Sequence, residues 1–116
     1  MAAAYQDQYL EKGTTFNAQL TLTDDTGTPY NLNGFIVESE ARLSYYSANV
    51  AIEFETSIPD AANGIIILSA NSATTANVYA GPVHKLVYDV ILTDTGNGNV
   101  TRVLEGQIFV SPSVSR

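Results

Sequence analysis

Apolar and polar residues alternate along most of this chain. In FNAQLTLT, Phe16, Ala18, Leu20 and Leu22 fall on one side of an extended strand, with Asn17, Gln19, Thr21 and Thr23 on the other. FIVESEARLSYY repeats the pattern: Phe35, Val37, Ser39, Ala41, Leu43 and Tyr45 share a face, opposed by Ile36, Glu38, Glu40 and Arg42. AIEFET turns Ile52 and Phe54 inward and Glu53 and Glu55 outward. A period of two, with one dry face and one wet face, predicts half-buried antiparallel strands.

The later segments are more apolar. GIIILS is a short continuous run, which suits a strand covered on both faces or one at an interface. HKLVYDVILTD places Leu86, Tyr88, Val90 and Leu92 on one side, yet Val87 and Ile91 lie on the other. In VTRVLEGQIFVSP, Gly106 marks either a bulge or a close approach of backbone. SANSATTANVYAGP reads as a small polar loop with room for one helical turn, and Tyr79-Ala80-Gly81-Pro82 as the turn into the next strand.

Turn chemistry punctuates the strands at Asp24–Gly27, Asn33-Gly34, Ser47–Asn49, Pro59–Gly64, Gly81-Pro82 and Asp94–Asn99. That rhythm predicts an all-β chain: an immunoglobulin-like antiparallel β-sandwich of about seven strands. A closed antiparallel barrel is the nearest competitor, since periodicity does not show whether a sheet closes. Residues 1–12 are expected to form an N-terminal arm or first edge strand, and residues 13–116 a single sandwich domain. The arm, MAAAYQDQYL, is free of Pro and Gly and long enough to lie along a neighbour's sheet edge.

Composition narrows the function classes. A chain of 116 residues with no cysteine has no disulfide framework and no thiolate zinc site, and fits assembly in a reducing cytosol. No apolar run reaches the roughly 20 residues that span a bilayer. The N-terminus lacks the basic start and apolar core of a signal peptide, so export is not expected. Twelve Asp and Glu oppose five Lys and Arg, a formal charge of −7. The bases Lys12, Arg42, Lys85, Arg102 and Arg116 are scattered, so neither a nucleic acid nor an anionic membrane surface is an expected partner.

Two triplets raise the question of catalysis: Asp25-Thr26-Gly27 and Asp94-Thr95-Gly96 both match the sequence around an aspartic peptidase carboxylate. Both, however, stand where an alternating strand ends and the chain must reverse, and neither is followed by the hydrophobic-Gly element that packs beneath a peptidase loop. Hairpin turn chemistry used twice is the expected reading. Asp94, Asn97 and Asn99 offer oxygens to a calcium ion, but without the carboxylate count or closing Glu of an EF-hand a solvated turn is expected. The pairs Asp24-Asp25, Glu38/Glu40 and Glu53/Glu55 read as wet strand faces, with nothing to set them opposite one another at the spacing of a glycosidase's paired carboxylates.

His84 is the only histidine, so a Ser-His-Asp triad or poly-His metal site has no support, and a structural or solvated role is expected. Asn99-Val100-Thr101 matches the glycosylation pattern without a secretory context. No catalytic, cofactor-binding or metal-binding residue is therefore expected. The seven tyrosines are expected to pack in the core for the most part. Tyr45, Tyr46 and Tyr79 near turns, with Tyr5 and Tyr9 in the arm, are the candidate interface residues, because an aromatic ring with a polar tip suits a protein contact.

KGTTFNAQLTLTDDTGTPYNLNGF resembles the opening of a small immunoglobulin-like domain common in structural proteins of tailed bacteriophages, through Gly13, Phe16, Leu20, Leu22, Gly27, Pro29, Leu32, Gly34 and Phe35. Arg42 falls where that family often carries a basic residue. AGPVHKLVYDVILTDTGNGNVTRVLEGQIFVSPSVSR is similar to its closing pattern, through Tyr88, Asp89, Asp94, Val100, Thr101, Arg102, Leu104, Glu105, Gly106, Val110, Ser111, Pro112 and Arg116. The resemblance covers roughly residues 10–116, is weakest from Tyr45 to Ala80, and is especially to small virion proteins of myoviruses of marine cyanobacteria and to N-terminal modules of phage baseplate upper proteins.

The resemblance implies a non-enzymatic virion part, assembled in the host cytoplasm and working as a tail, baseplate or fibre-attachment module. Its partners would be other virion proteins and copies of itself, and it brings no catalytic residue and no cofactor. The alternatives are a capsid decoration protein or a host-surface carbohydrate-binding module, with an aspartic peptidase the remotest.

Overall fold

Strand β3 (Phe16–Thr21) keeps the alternation that its sequence predicts, with Phe16, Ala18 and Leu20 buried and Asn17, Gln19 and Thr21 exposed. The structure, a computed structural model, describes residues 4–24, 26–78 and 84–111. Before β3, β1 (Ala4–Tyr5) and β2 (Gln8–Glu11) run along the chain's own last strand. After it come β4 (Phe35–Arg42), β5 (Ile52–Glu53), β6 (Glu55–Asp60) and β7 (Ile65–Ala70), with a 3-10 turn at Ala61–Asn63. A five-residue helix α1 (Ser72–Ala76) precedes β8 (Lys85–Asp94) and β9 (Val100–Ser111).

Two sheets result. The larger has the order β1-β9-β8-β4-β5, with β2 also on β9; the smaller has the order β3-β7-β6. The chain changes layer between β2 and β3, β3 and β4, β5 and β6, and β7 and β8, and the grouping β3-β7-β6 against β4-β8-β9 is that of an immunoglobulin-like sandwich. The layers meet through Leu20, Ile66 and Leu68 from one side and Val37, Leu86, Tyr88, Val90, Leu92 and Ile108 from the other. Phe54 marks the point where the chain changes sheets: Glu53 pairs in the larger and Glu55 in the smaller. Its N–H donates to Ser39 O at 3.0 Å and its ring meets Phe16 at 5.3 Å. AIEFET is therefore two short strands around one anchor, not a single strand.

Four other departures from the sequence pattern have physical causes. β1 and β2 keep one register against β9, Ala4 opposite Leu104 and Glu11 opposite Ser111, and this pairing is parallel, not antiparallel. Counting them as one interrupted strand gives eight strands among the described residues, one more than the punctuation suggests. β4 stops at Arg42, leaving Leu43 and Tyr45 43% and 60% exposed, because β5 pairs only with Glu40 and Ala41 and the Arg42 guanidinium is drawn to Ser47 O at 2.9 Å. The GIIILS run is covered on one face only: Ile66 and Leu68 enter the core, while Ile65 and Ile67 are half-buried between flanking strands. The bulge in β9 falls at Val103, between the Val90–Leu104 and Ile91–Arg102 pairs, so Gly106 marks the close backbone approach instead.

That approach closes the sandwich at one edge. A side chain at Gly106 would place its Cβ 2.0 Å from Gln6 O, so only glycine admits the first strand here. The Tyr88 hydroxyl donates to the same carbonyl at 2.5 Å. Between β1 and β2 the Asp7 carboxylate stands in for a backbone acceptor, taking the Gln107 N–H at 3.2 Å. At the other end of β2, buried Thr75 in α1 holds the turn into β3: its hydroxyl donates to Thr14 O at 2.6 Å and accepts from Gly13 N at 3.1 Å.

Candidate functional site

The outer face of the larger sheet holds the chemistry that the fold leaves uncovered. Registers across β9, β8, β4 and β5 align Glu105, Asp89, Glu40 and Glu53 in one cross-strand row. Like charges facing each other across neighbouring strands destabilise a sheet. Arginine lessens the repulsion at three of the four: Arg102 lies 3.3 Å from Asp89 and 3.3 Å from Glu105, and Arg42 lies 3.0 Å from Glu40. Beside the row runs an open groove of about 270 Å³, lined by Glu38, Arg42, Tyr45 and Arg102 with half-buried Val87 and Ile91. The acidic residues that read as separate wet faces are thus brought side by side, Glu40 directly opposite Glu53.

Tyr5 and Tyr9 on the edge strands and Tyr45 in the groove stand at this face, and Tyr46 follows Tyr45 in the chain. Tyr5, Tyr9, Tyr45 and Tyr46 are 60%, 74%, 60% and 98% exposed. Tyr9 stacks on Phe109 at 5.5 Å on the sheet's outer surface, and Tyr45 lines the groove. The Tyr5 hydroxyl titrates above its ordinary value, through partial desolvation first, then its hydrogen bond to Asp7 and the nearby charges of Asp7, Tyr45 and Glu105. Tyr79 lies outside the described residues. Core packing holds for Tyr88 (2% exposed) and in part for Tyr30, which packs against Phe35 at 6.2 Å. The expectation that most tyrosines pack inside is therefore corrected: four of the six described ones are on the surface. Sequence reasoning missed Phe109, whose exposure follows from its place one residue out of step with Ile108 and Val110.

The two Asp-Thr-Gly triplets are built differently. In the first, the turn is organised by the preceding Asp24, whose Oδ1 accepts from Thr26 N at 2.9 Å, Thr26 Oγ1 at 2.7 Å and Thr28 N at 3.0 Å. Asp25 lies outside the described residues. In the second, Asp94 Oδ1 accepts from Gly96 N at 2.8 Å, and Asn97 Oδ1 accepts from Asn99 N at 2.9 Å. Gly27 and Gly98 supply the left-handed torsions, φ +83° and +75°. These hydrogen bonds hold the Asp24, Asp94 and Asn97 side chains to their own loops. Among the described residues, no group of three His, Asp or Glu is placed to share a metal ion. His84 is exposed, in a left-handed conformation (φ 53°) at the start of β8, where its carbonyl accepts from Val110 N at 2.8 Å.

The residues that carry the resemblance now have physical roles. Tyr88 and Gly106 seat the first strand, and Asp89, Arg102 and Glu105 form the ion cluster of the outer face. No protein-family model matches the chain, and no curated protein matches it. What the outer face can do chemically is bind: it offers aromatic rings, paired charges and a shallow groove, on a rigid sheet.

Proposed function

We propose that this chain is a non-enzymatic structural protein of a tailed-bacteriophage particle, a tail, baseplate or fibre-attachment module that works through protein–protein contacts. The observation that carries the proposal is the set of exposed tyrosines, Tyr5, Tyr9, Tyr45 and Tyr46, on a rigid sandwich whose own core does not need them. Tyrosine gives a contact large area at low conformational cost, and is enriched where protein surfaces meet. The closing sequence pattern supports the same reading, since the residues similar to the phage family are the ones that seat the first strand and order the outer face.

Labelling purified particles with an antibody against the chain tests the proposal. Label at the tail or baseplate is the expected result; label on the head converts the reading to capsid decoration. Absence of the chain from particles overturns it. A second reading, a carbohydrate-binding module, is favoured by the groove beside Tyr45, where Arg42, Arg102 and Glu38 offer hydrogen bonds to hydroxyl groups next to an aromatic ring. A glycan array showing saturable binding, lost in Tyr45→Ala, would select it.

A further inference from the structure

Three Asn-Gly dipeptides occur in this chain: Asn33-Gly34, Asn63-Gly64 and Asn97-Gly98. Such a pair reacts with itself in water. The glycine nitrogen attacks the asparagine Cγ, ammonia leaves with Nδ2, and the main chain closes into a cyclic imide. Glycine favours the step because it has no side chain to block the approach. Water then opens the imide at either carbonyl, giving aspartate or isoaspartate. Solvent takes up the amide proton and supplies the water, and nothing is oxidised or reduced.

All three asparagines are exposed, so the dipeptides differ in what holds the attacking nitrogen. Gly64 N–H donates to Ala61 O at 3.2 Å, and Gly98 N–H donates to Asp94 O at 2.8 Å. Gly64 is also buried, with Leu22 O and Tyr30 O filling the place a Cβ would take. Asn97 Oδ1 accepts from Asn99 N at 2.9 Å, which holds that side chain within its own loop. Gly34 is different. It is exposed, nothing lies within 4 Å of where its Cβ would stand, and among the described residues its N–H has no hydrogen-bond partner. The turn closes around it, Phe35 N–H donating to Leu32 O at 3.1 Å. Asn33 N–H and Nδ2 both donate to Asn31 Oδ1, at 3.0 and 2.8 Å, which keeps the side chain at the turn.

We infer that Asn33 is the site at which the folded chain deamidates. At Asn63 and Asn97 a hydrogen bond on the glycine nitrogen must break before attack, which slows them roughly tenfold relative to Asn33. The product acts beyond its own turn. Gly34 O accepts the Thr95 N–H at 2.9 Å and the Thr95 hydroxyl at 2.8 Å, joining this turn to the one at Asp94–Asn99. Isoaspartate adds a methylene to the main chain between buried Leu32 and Phe35, the first residue of β4, and so displaces that carbonyl. Either product adds a negative charge to a chain whose formal charge is −7. None of this chemistry depends on the proposed role in a particle.

Trypsin separates the three dipeptides, because cleavage after Lys12, Arg42, Lys85 and Arg102 leaves each on its own peptide. The purified chain is incubated at mildly alkaline pH, folded or in urea, then digested and resolved by mass spectrometry. In the folded chain the Asn33 peptide is expected to convert roughly tenfold faster than the other two, whereas in urea all three convert at similar rates. Asn33→Gln is expected to abolish the fast conversion, and hydrogen exchange at Thr95 N–H to quicken once the parent has converted. Equal or faster conversion at Asn63 or Asn97 in the folded chain overturns the inference. So does a folded chain in which none converts while all convert in urea, or a lead for Asn33 that persists unchanged in urea. Exchange at Thr95 that conversion leaves unaltered overturns the link between the two turns.

Discussion

Tyr88 and Gly106 face each other across β8 and β9, and the space left by the missing side chain holds the Gln6 carbonyl, which accepts the Tyr88 hydroxyl at 2.5 Å. One pair thus couples the core to the N-terminal strand. Gly106→Ala drives a methyl into Gln6 O, so either β1 leaves the sheet or β9 shifts. Overpacking of this kind costs about 1–3 kcal/mol. Urea unfolding is expected to show that loss, and hydrogen exchange to show it concentrated in residues 4–11.

Tyr88 also sets an alkaline limit. Burial is the first cause that raises its phenol above the ordinary 10.0. Because the folded value is the higher one, the contribution is complete below the ordinary value and is lost as pH rises from there through the folded pKa. Tyr88→Phe is expected to cost about 1 kcal/mol at neutral pH, through the lost hydrogen bond. The difference from the parent should shrink as pH climbs above that of free tyrosine. Chemical denaturation at neutral and alkaline pH checks both points.

Asp24 behaves in the opposite sense. Hydrogen bonds from the Thr26 hydroxyl, Thr26 N–H and Thr28 N–H hold its carboxyl below the usual 3.8. A depressed folded value contributes stability above the unfolded pKa and loses it as pH falls through the folded one. Asp24→Asn is expected to lower the melting temperature at neutral pH and to converge on the parent in strong acid. A melting-temperature gap that does not change with pH would show that the charge has no part in holding the turn.

Arg102 lies between Asp89 and Glu105 in a row of four carboxylates. Its side chain is half exposed, so removing it costs less than a buried ion pair would, under about 1 kcal/mol. Repulsion along the row should nonetheless make the loss salt-dependent. Arg102→Ala is expected to be less stable than the parent in dilute buffer and close to it in molar salt. Arg102→Lys should recover only part of the difference, because a single ammonium does not span two carboxylates as a guanidinium does.

Strand content was legible in the sequence because alternation is a local property: β3, β4 and the inward side of β8 follow directly from the order of their residues. The registers were not. Nothing within FIVESEAR or AIEFET says that Glu40 will face Glu53, since that depends on a chain that changes sheets at Phe54. Nor does GQIF show that Gly106 admits a strand about a hundred residues earlier in the chain. Tyrosine exposure was legible only in part. Tyr45 lies in the same alternating phase as Val37 and Ala41, and the phase fails only because the pairing of β4 stops at Arg42, opposite Val87. The turn signals at Asn33-Gly34 and Asp94–Asn99 were sound, the one at Pro59–Gly64 starts inside β6, the one at Gly81-Pro82 lies outside the described residues, and the first triplet is organised by the residue before it.

The exposed tyrosines distinguish a contact surface from a merely stable one. Tyr46 is 98% exposed and Tyr45 lines the groove without entering the core. Replacing both by alanine removes little buried area, and surface changes of this kind typically move stability by less than about 0.5 kcal/mol. Aromatic anchors at an interface, by contrast, cost about 2 kcal/mol or more on truncation. The double variant Tyr45→Ala/Tyr46→Ala is therefore expected to melt like the parent, yet to lose at least about tenfold in incorporation when it competes with the parent during particle assembly. Equal incorporation with equal stability would remove these two residues from the contact surface. Reduced incorporation with a lowered melting point would place them in the fold.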